Sequence, residues 1–266
     1  MNELALFAGA GGGILSGHLL GWRTVCAVER DAYAAQVLAQ RQNDGILRPF
    51  PIWSDVCSFD GKPWRGIVDV VSGGFPCQDI SSAGKGAGID GARSGMWREM
   101  ARIVGEVRPG FAFVENSPLL VGRGAAMVIG DLAEMGYDCQ WCIVSASDCG
   151  APHQRERFWL VANSGHKGVR ERRITQSITE KEGSALADTH SAQRKGAGQP
   201  CRIRQEYNNA LCTSSWWGSD PAEIPESGVG RMANGVAARV DRLKAIGNGQ
   251  VPRVAATAFR ILSGIN

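Results

Sequence analysis

Apolar runs and helix-like stretches take turns along roughly the first 162 residues. The runs at 4–7, 24–28, 67–72, 111–114, 140–146 and 158–162 read as strands. The stretches at 14–20, 32–41, 95–107 and 125–135 read as helices. A strand that feeds a helix and then another strand builds a mostly parallel sheet, covered by helices on both faces. The chain is therefore expected to be α/β. Texture changes after residue 162: positions 163–231 are rich in Ser, Gly, Thr, Arg and Gln, with few apolar runs. Order returns near Gly235. Residues 236–243 alternate apolar and polar groups, and IGNGQVPRVAATAFRIL reads as a turn and then a helix with Pro252 in its first turn. The main domain is thus predicted to be discontinuous, 1–162 with 232–266, around an insert at 163–231.

Hydrophobic residues make up 44% of the 266 positions, enough for a real core. No run of eighteen apolar residues occurs, and MNELALFAGAGGG lacks the basic start of a signal peptide. A cytoplasmic protein without a membrane span is expected. The eight cysteines then read as reduced thiols. Cys139-x-x-Cys142 lies in a strand-like stretch with no second pair following, so no metal site is expected. Net charge is only +3, but residues 151–204 hold eleven Lys/Arg against five Asp/Glu. A basic segment on a slightly acidic body suits a polyanion, although a solvated surface loop has the same composition.

LFAGAGGG follows the first strand and opens the first helix, where glycines permit a tight turn and close approach of a ligand. Glu29 ends the second strand, where a carboxylate can accept from ribose hydroxyls. Ile14 occupies the place of the third glycine of a dinucleotide loop. This favours a smaller adenosine ligand without pyrophosphate, and S-adenosylmethionine fits; a plain tight turn is the simpler reading. Asp55 either receives an adenine amino group or caps a turn. Cys77, in GGFPCQ, sits just past a strand, where open α/β sheets bind ligands. Glycine-loop amides would lower its thiol pKa and Pro76 would stiffen the approach, or the thiol is inert. Glu115 and Asn116 follow another strand, and a carboxylate there can exchange a proton with a substrate nitrogen. Arg155 and Arg157 are two apart, on one side of an extended chain, and suit a phosphate or a carbonyl.

LFAGAGG, Glu29, Ser54-Asp55-Val56, GGFPCQ, ENS, RER and IGNGQVP occur here in the order and spacing of the DNA cytosine-5 methyltransferases. The chain resembles the compact enzymes of bacteria and their phages over about 1–162 and 232–266. The resemblance implies a Rossmann-like S-adenosylmethionine-dependent methyltransferase fold with a small loop-rich target recognition domain. It implies that Cys77 attacks carbon 6 of a flipped cytosine in double-stranded DNA, and that Glu115 holds and protonates ring nitrogen 3. Arg157 would contact the cytosine with Arg155 supporting the pocket, and Asn116 and Pro76 would shape the catalytic loop. Phe7, Ala8, Gly9, Gly11, Gly12, Glu29, Asp55, Val56 and Asn248 would line the cofactor site. Residues 81–93 would close over the DNA, and a monomer is expected.

Two departures stand out. His153 follows the proline of the arginine motif where the family usually has Gln, which here is Gln154. The 163–231 segment is short for target recognition, with His166, His190, Arg170, Arg172 and Arg173 as candidates to touch DNA. The same chemistry on RNA, a nicotinamide oxidoreductase and a non-catalytic DNA-binding module are the competing readings.

Overall fold

Alternate side chains along each strand go to opposite faces of a sheet, so a strand buried on both faces must be apolar throughout. The computed structural model describes residues 1–76, 95–165 and 239–265. Its strands are β1 (Asn2–Leu6), β2 (Arg23–Val28), β3 (Ile52–Trp53), β4 (Val70–Gly74), β5 (Phe111–Asn116), β6 (Asp138–Val144) and β7 (Arg157–Asn163). Its helices are α1 (Gly12–Leu19), α2 (Ala32–Asn43), α3 (Gly95–Val107), α4 (Leu120–Arg123), α5 (Ala125–Glu134), α6 (Arg239–Asn248) and α7 (Pro252–Ser263). The strands form one sheet in the order β3-β2-β1-β4-β5-β7-β6. It is mostly parallel, as expected, but β7 runs antiparallel to both β5 and β6. The apolar run of β7 is buried on both faces, and such a run carries no mark of direction.

Leu4, Leu6, Val71, Val114, Phe158 and Leu160 project to one face and pack with α3 and α5. Phe111, Phe113, Trp159 and Val161 project to the other, against α7, while Ala5 and Ala27 meet α1 and α2. α3 buries Trp97, Met100, Ile103, Val104 and Val107, the three- and four-residue spacing of a single stripe. α7 starts at Pro252, which needs no amide partner there, and buries Val254, Ala255, Ala258, Phe259 and Leu262. Phe259 meets Trp22, Phe111 and Phe113 edge-on, so the last helix is fixed on the middle of the sheet.

Several boundaries shift. The run predicted at 67–72 pairs only from Val70 to Gly74, and Ile67 is left half exposed. The one predicted at 140–146 forms Asp138–Val144, because Ser145 turns back to Asp148. β3 has two residues, too few for a periodic signal. Residues 239–243 belong to helix α6, so the alternation there is not a strand, and Ile246–Asn248 ends that helix instead of forming a free turn. Cys139 and Cys142, three apart on β6, go to opposite faces, which suits no shared ligand. Among the described residues no three His, Cys, Asp or Glu gather as a metal site, and no helix is long and apolar enough to cross a membrane.

Candidate active site

The sheet order changes sense at β1. The connection leaving β1 goes to β2 on one side, and β4 and β5 lie on the other. Loops at such a switch point diverge and leave a crevice at the carboxyl ends of the strands. The glycine loop after β1 and the segment leading to Cys77 after β4 are those two loops.

The glycine loop holds three residues at positive φ: Phe7 (52°), Gly9 (54°) and Gly11 (91°). The Gly11 amide returns to the Ala8 carbonyl, and the Ala8 amide donates to Val28 at the end of β2. Glu29 completes the turn: its Oε2 accepts the Gly9 amide and its Oε1 the Asp31 amide, each at 2.6 Å. Both carboxylate oxygens are thereby oriented, with lone pairs left to accept from ribose hydroxyls. No atom lies within 4 Å of where a Gly9 side chain would stand, so the loop offers open space beside Glu29. Phe7, at the start of the loop, is half-buried and packs against the core beneath. Asp55 accepts the Cys57 amide at 3.0 Å and caps a short 3-10 turn. Arg102 of α3 holds that turn through the Val56 and Phe59 carbonyls. Val56 itself is buried in the core and shows little side chain to a ligand. Gly12 meets the backbone carbonyl of Gln250, and a side chain there would collide with it.

The second half of the site is built on β4, β5 and β7. In register, Gly74 faces Glu115, and Glu115 faces Trp159. Arg157, two residues before Trp159, reaches Glu115 with Nε 3.0 Å from Oε1. Burial pushes the Glu115 carboxyl above the ordinary carboxylate range, opposed by Arg157 and Arg155 and by a hydrogen bond from the Gln250 side chain. Asn116 is buried at the strand end. Its Nδ2 donates to the Phe75 carbonyl at 3.1 Å and its Oδ1 accepts the Ser117 amide at 2.8 Å. The segment entering the Cys77 loop is thereby tied to β5, with Pro76 exposed just beyond. Arg155 lies near enough to Glu115 to favour its ionised form, and its Nη2 donates to the carbonyls of Gly247 (2.7 Å) and Gly249 (2.8 Å), where α6 ends. Burial, with Arg157 nearby, lowers its pKa. Asn248 is exposed at that same helix end.

Glu115 and Arg157 therefore meet at the carboxyl end of β5, beside Asn116, and Gly9 and Glu29 meet at the carboxyl ends of β1 and β2, with Phe7 directly after β1 and Asp55 shortly after β3. Cys77, residues 81–93, His166, His190, Arg170, Arg172 and Arg173 lie outside the described residues, as does nearly all of the 163–231 region. Sequence reasoning misses Gln250. It lies inside IGNGQVP, but only its closeness to Gly12, Gly74 and Glu115 marks it.

The profile of the C-5 cytosine-specific DNA methylases matches residues 1–252. The chain belongs to that family. Among its relatives, this chain is 34% identical to Type II methyltransferase M.CviJI of Paramecium bursaria Chlorella virus IL3A, over 60% of this chain and 42% of the relative. It is 33% identical to Type II methyltransferase M.Eco47II of Escherichia coli, over 60% of this chain and 38% of that one. The chain thus spans about two fifths of these relatives' length. The solved S. pombe Dnmt2 methyltransferase shares its fold, with a TM-score of 0.51 at 21% identity, over 68% of this chain and 57% of that one.

Proposed function

We propose that the chain methylates carbon 5 of a cytosine flipped out of double-stranded DNA, with S-adenosylmethionine as the methyl donor. The observation that carries this reading is the Glu115–Arg157 pair beside the Asn116 tether to the Cys77 segment. The donors and acceptors around the glycine loop fit an adenosyl group: Glu29 for ribose hydroxyls, Asp55 for an amino group, Phe7 for a ring. S-adenosylmethionine, when bound, supplies an electrophilic methyl group.

Carbon 5 of cytosine is a weak nucleophile, so the chain's residues must raise its electron density. The Cys77 thiolate adds to carbon 6, and the electron pair of the 5,6 double bond moves into the ring. Glu115, kept protonatable by burial, gives its proton to nitrogen 3 as that nitrogen gains charge. Arg157 holds the Glu115 carboxyl and faces the same ring edge. After carbon 5 has been alkylated, a base removes its proton and Cys77 departs by β-elimination, restoring the double bond. The target cannot be reached within the stack, so it is extruded at a cost of a few kcal/mol. The 163–231 segment, basic in its first part, serves as the target recognition region on DNA phosphates.

Cys77→Ser tests the mechanism. Release of tritium from carbon-5-labelled cytosine should cease while S-adenosylmethionine still binds by calorimetry. Unchanged release would refute the covalent step, and equal methylation of transfer RNA would refute the choice of DNA.

A further inference from the structure

We propose that Gln250 is a positioning residue for Glu115: its side-chain amide holds the carboxyl alongside Arg157, while its own backbone is pressed against the glycine loop. The proposal rests on reading Glu115 as the proton donor.

Gln250 lies in the short link between α6 and α7, and that link is fixed at both ends. Before it, Arg155 binds the carbonyls of Gly247 and Gly249. After it, α7 is anchored by its buried Val254, Ala255, Ala258 and Phe259. Gln250 thus has little freedom to choose its direction.

Three glycines leave room for it. At Gly12 a side chain would collide with the Gln250 backbone carbonyl. At Gly13 it would stand 2.8 Å from the Gln250 Oε1, and at Gly74 3.3 Å from the Nε2 and closer still to Glu115 Oε2. The amide nitrogen and the carboxylate therefore meet over Gly74, with Gln250 as the donor. One side chain consequently touches the loop that would take the cofactor and the group that would take the base.

The chemistry favours an amide at this point. Arg157 on β7 and Arg155 just before it are the charged groups facing Glu115 among the described residues, and both favour its ionised form. A further cation would push the carboxyl down until it could no longer give a proton near neutral pH. A neutral N–H donor fixes the orientation with a smaller effect on acidity.

The test compares the native chain with Gln250→Leu and the near-isosteric Gln250→Glu. The Glu115 carboxyl carbon is titrated by carbon-13 NMR in the ligand-free protein, and kcat and KM for duplex DNA are measured across pH. In Gln250→Leu the Glu115 midpoint should rise and kcat should fall about tenfold, with KM for DNA changed less than about threefold. The basic limb of the kcat profile should move to higher pH with the midpoint. Gln250→Glu should recover activity toward acidic pH, where the introduced carboxyl is protonated and can donate. An unmoved midpoint in Gln250→Leu, or an unmoved kcat, overturns the proposal. A native chain that methylates no cytosine overturns the functional reading instead, and the ligand-free titration still decides whether Gln250 holds Glu115.

Discussion

Glu3 and Glu115 are both buried carboxyls, but their surroundings assign them opposite tasks. Glu3 is fully buried on β1 and accepts from two hydroxyls: Ser72 donates at 2.6 Å and Thr24 at 2.7 Å. Burial pushes its pKa from 4.5 up to about 7. The folded chain thus keeps the proton to higher pH than the unfolded chain. The resulting stabilisation is complete below about 4.5 and is lost as pH rises through about 7. Glu3→Gln should remove most of a slope worth about 3 kcal/mol, read from denaturant unfolding at pH 5 and pH 8. Glu115 faces two arginines instead, at the edge proposed to take the base. Glu115→Gln keeps the shape but not the exchangeable proton, and should lower kcat by about 10²–10⁴ with the fold intact by circular dichroism. Asn116→Ala leaves the buried Phe75 carbonyl unpaired and should cost about 1–3 kcal/mol in thermal unfolding.

Among elements, α6 and α7 depend most on contacts remote in sequence. The last turn of α6 exposes carbonyls that lack helical partners, and Arg155 supplies both hydrogen bonds and positive charge there. Arg155→Met should raise hydrogen exchange across 239–248 before it affects the central strands. A methionine that left exchange in α6 unchanged would argue against this role. Gly12→Ala would force the α6–α7 link away from α1, and the affinity for S-adenosylmethionine should fall at least tenfold by calorimetry, about 1.4 kcal/mol. The same dependence on remote contacts separates what the sequence makes legible from what it hides. The helix at 95–107 was legible to the residue because its stripe is regular, and most strands because they are apolar and bounded by turns. Asp55 admitted a capping role from sequence, and it does cap a turn. The reversal of β7 and the place of Gln250 were not legible. The first depends on which edge a strand joins, the second on two backbone segments from opposite ends of the chain coming together.

At the scale of the whole molecule, the charge pattern and the fold divide the labour. The sheet edge gathers Glu115 and Arg157, the groups proposed to meet the base, and the basic residues cluster in 151–204. If Arg170, Arg172 and Arg173 bind phosphates, replacing each by Ala should flatten the dependence of log K for DNA on log salt by about 0.9 for every phosphate left unneutralised. An unchanged slope would return those arginines to ordinary surface. A duplex containing 5-fluorocytosine should trap the chain covalently, because fluorine at carbon 5 cannot leave as a proton does. The order of the site's parts along the chain also has a consequence for synthesis. The glycine loop, Glu29, Glu115 and Arg157 are all translated well before Gln250, whose backbone presses against Gly12. A chain still on the ribosome carries Glu115 and Arg157 before it carries Gln250, which contacts both Gly12 and Glu115. If the proposed function holds, methylation of DNA must wait for α6 and α7 to be made and to dock, and their synthesis becomes its first checkpoint.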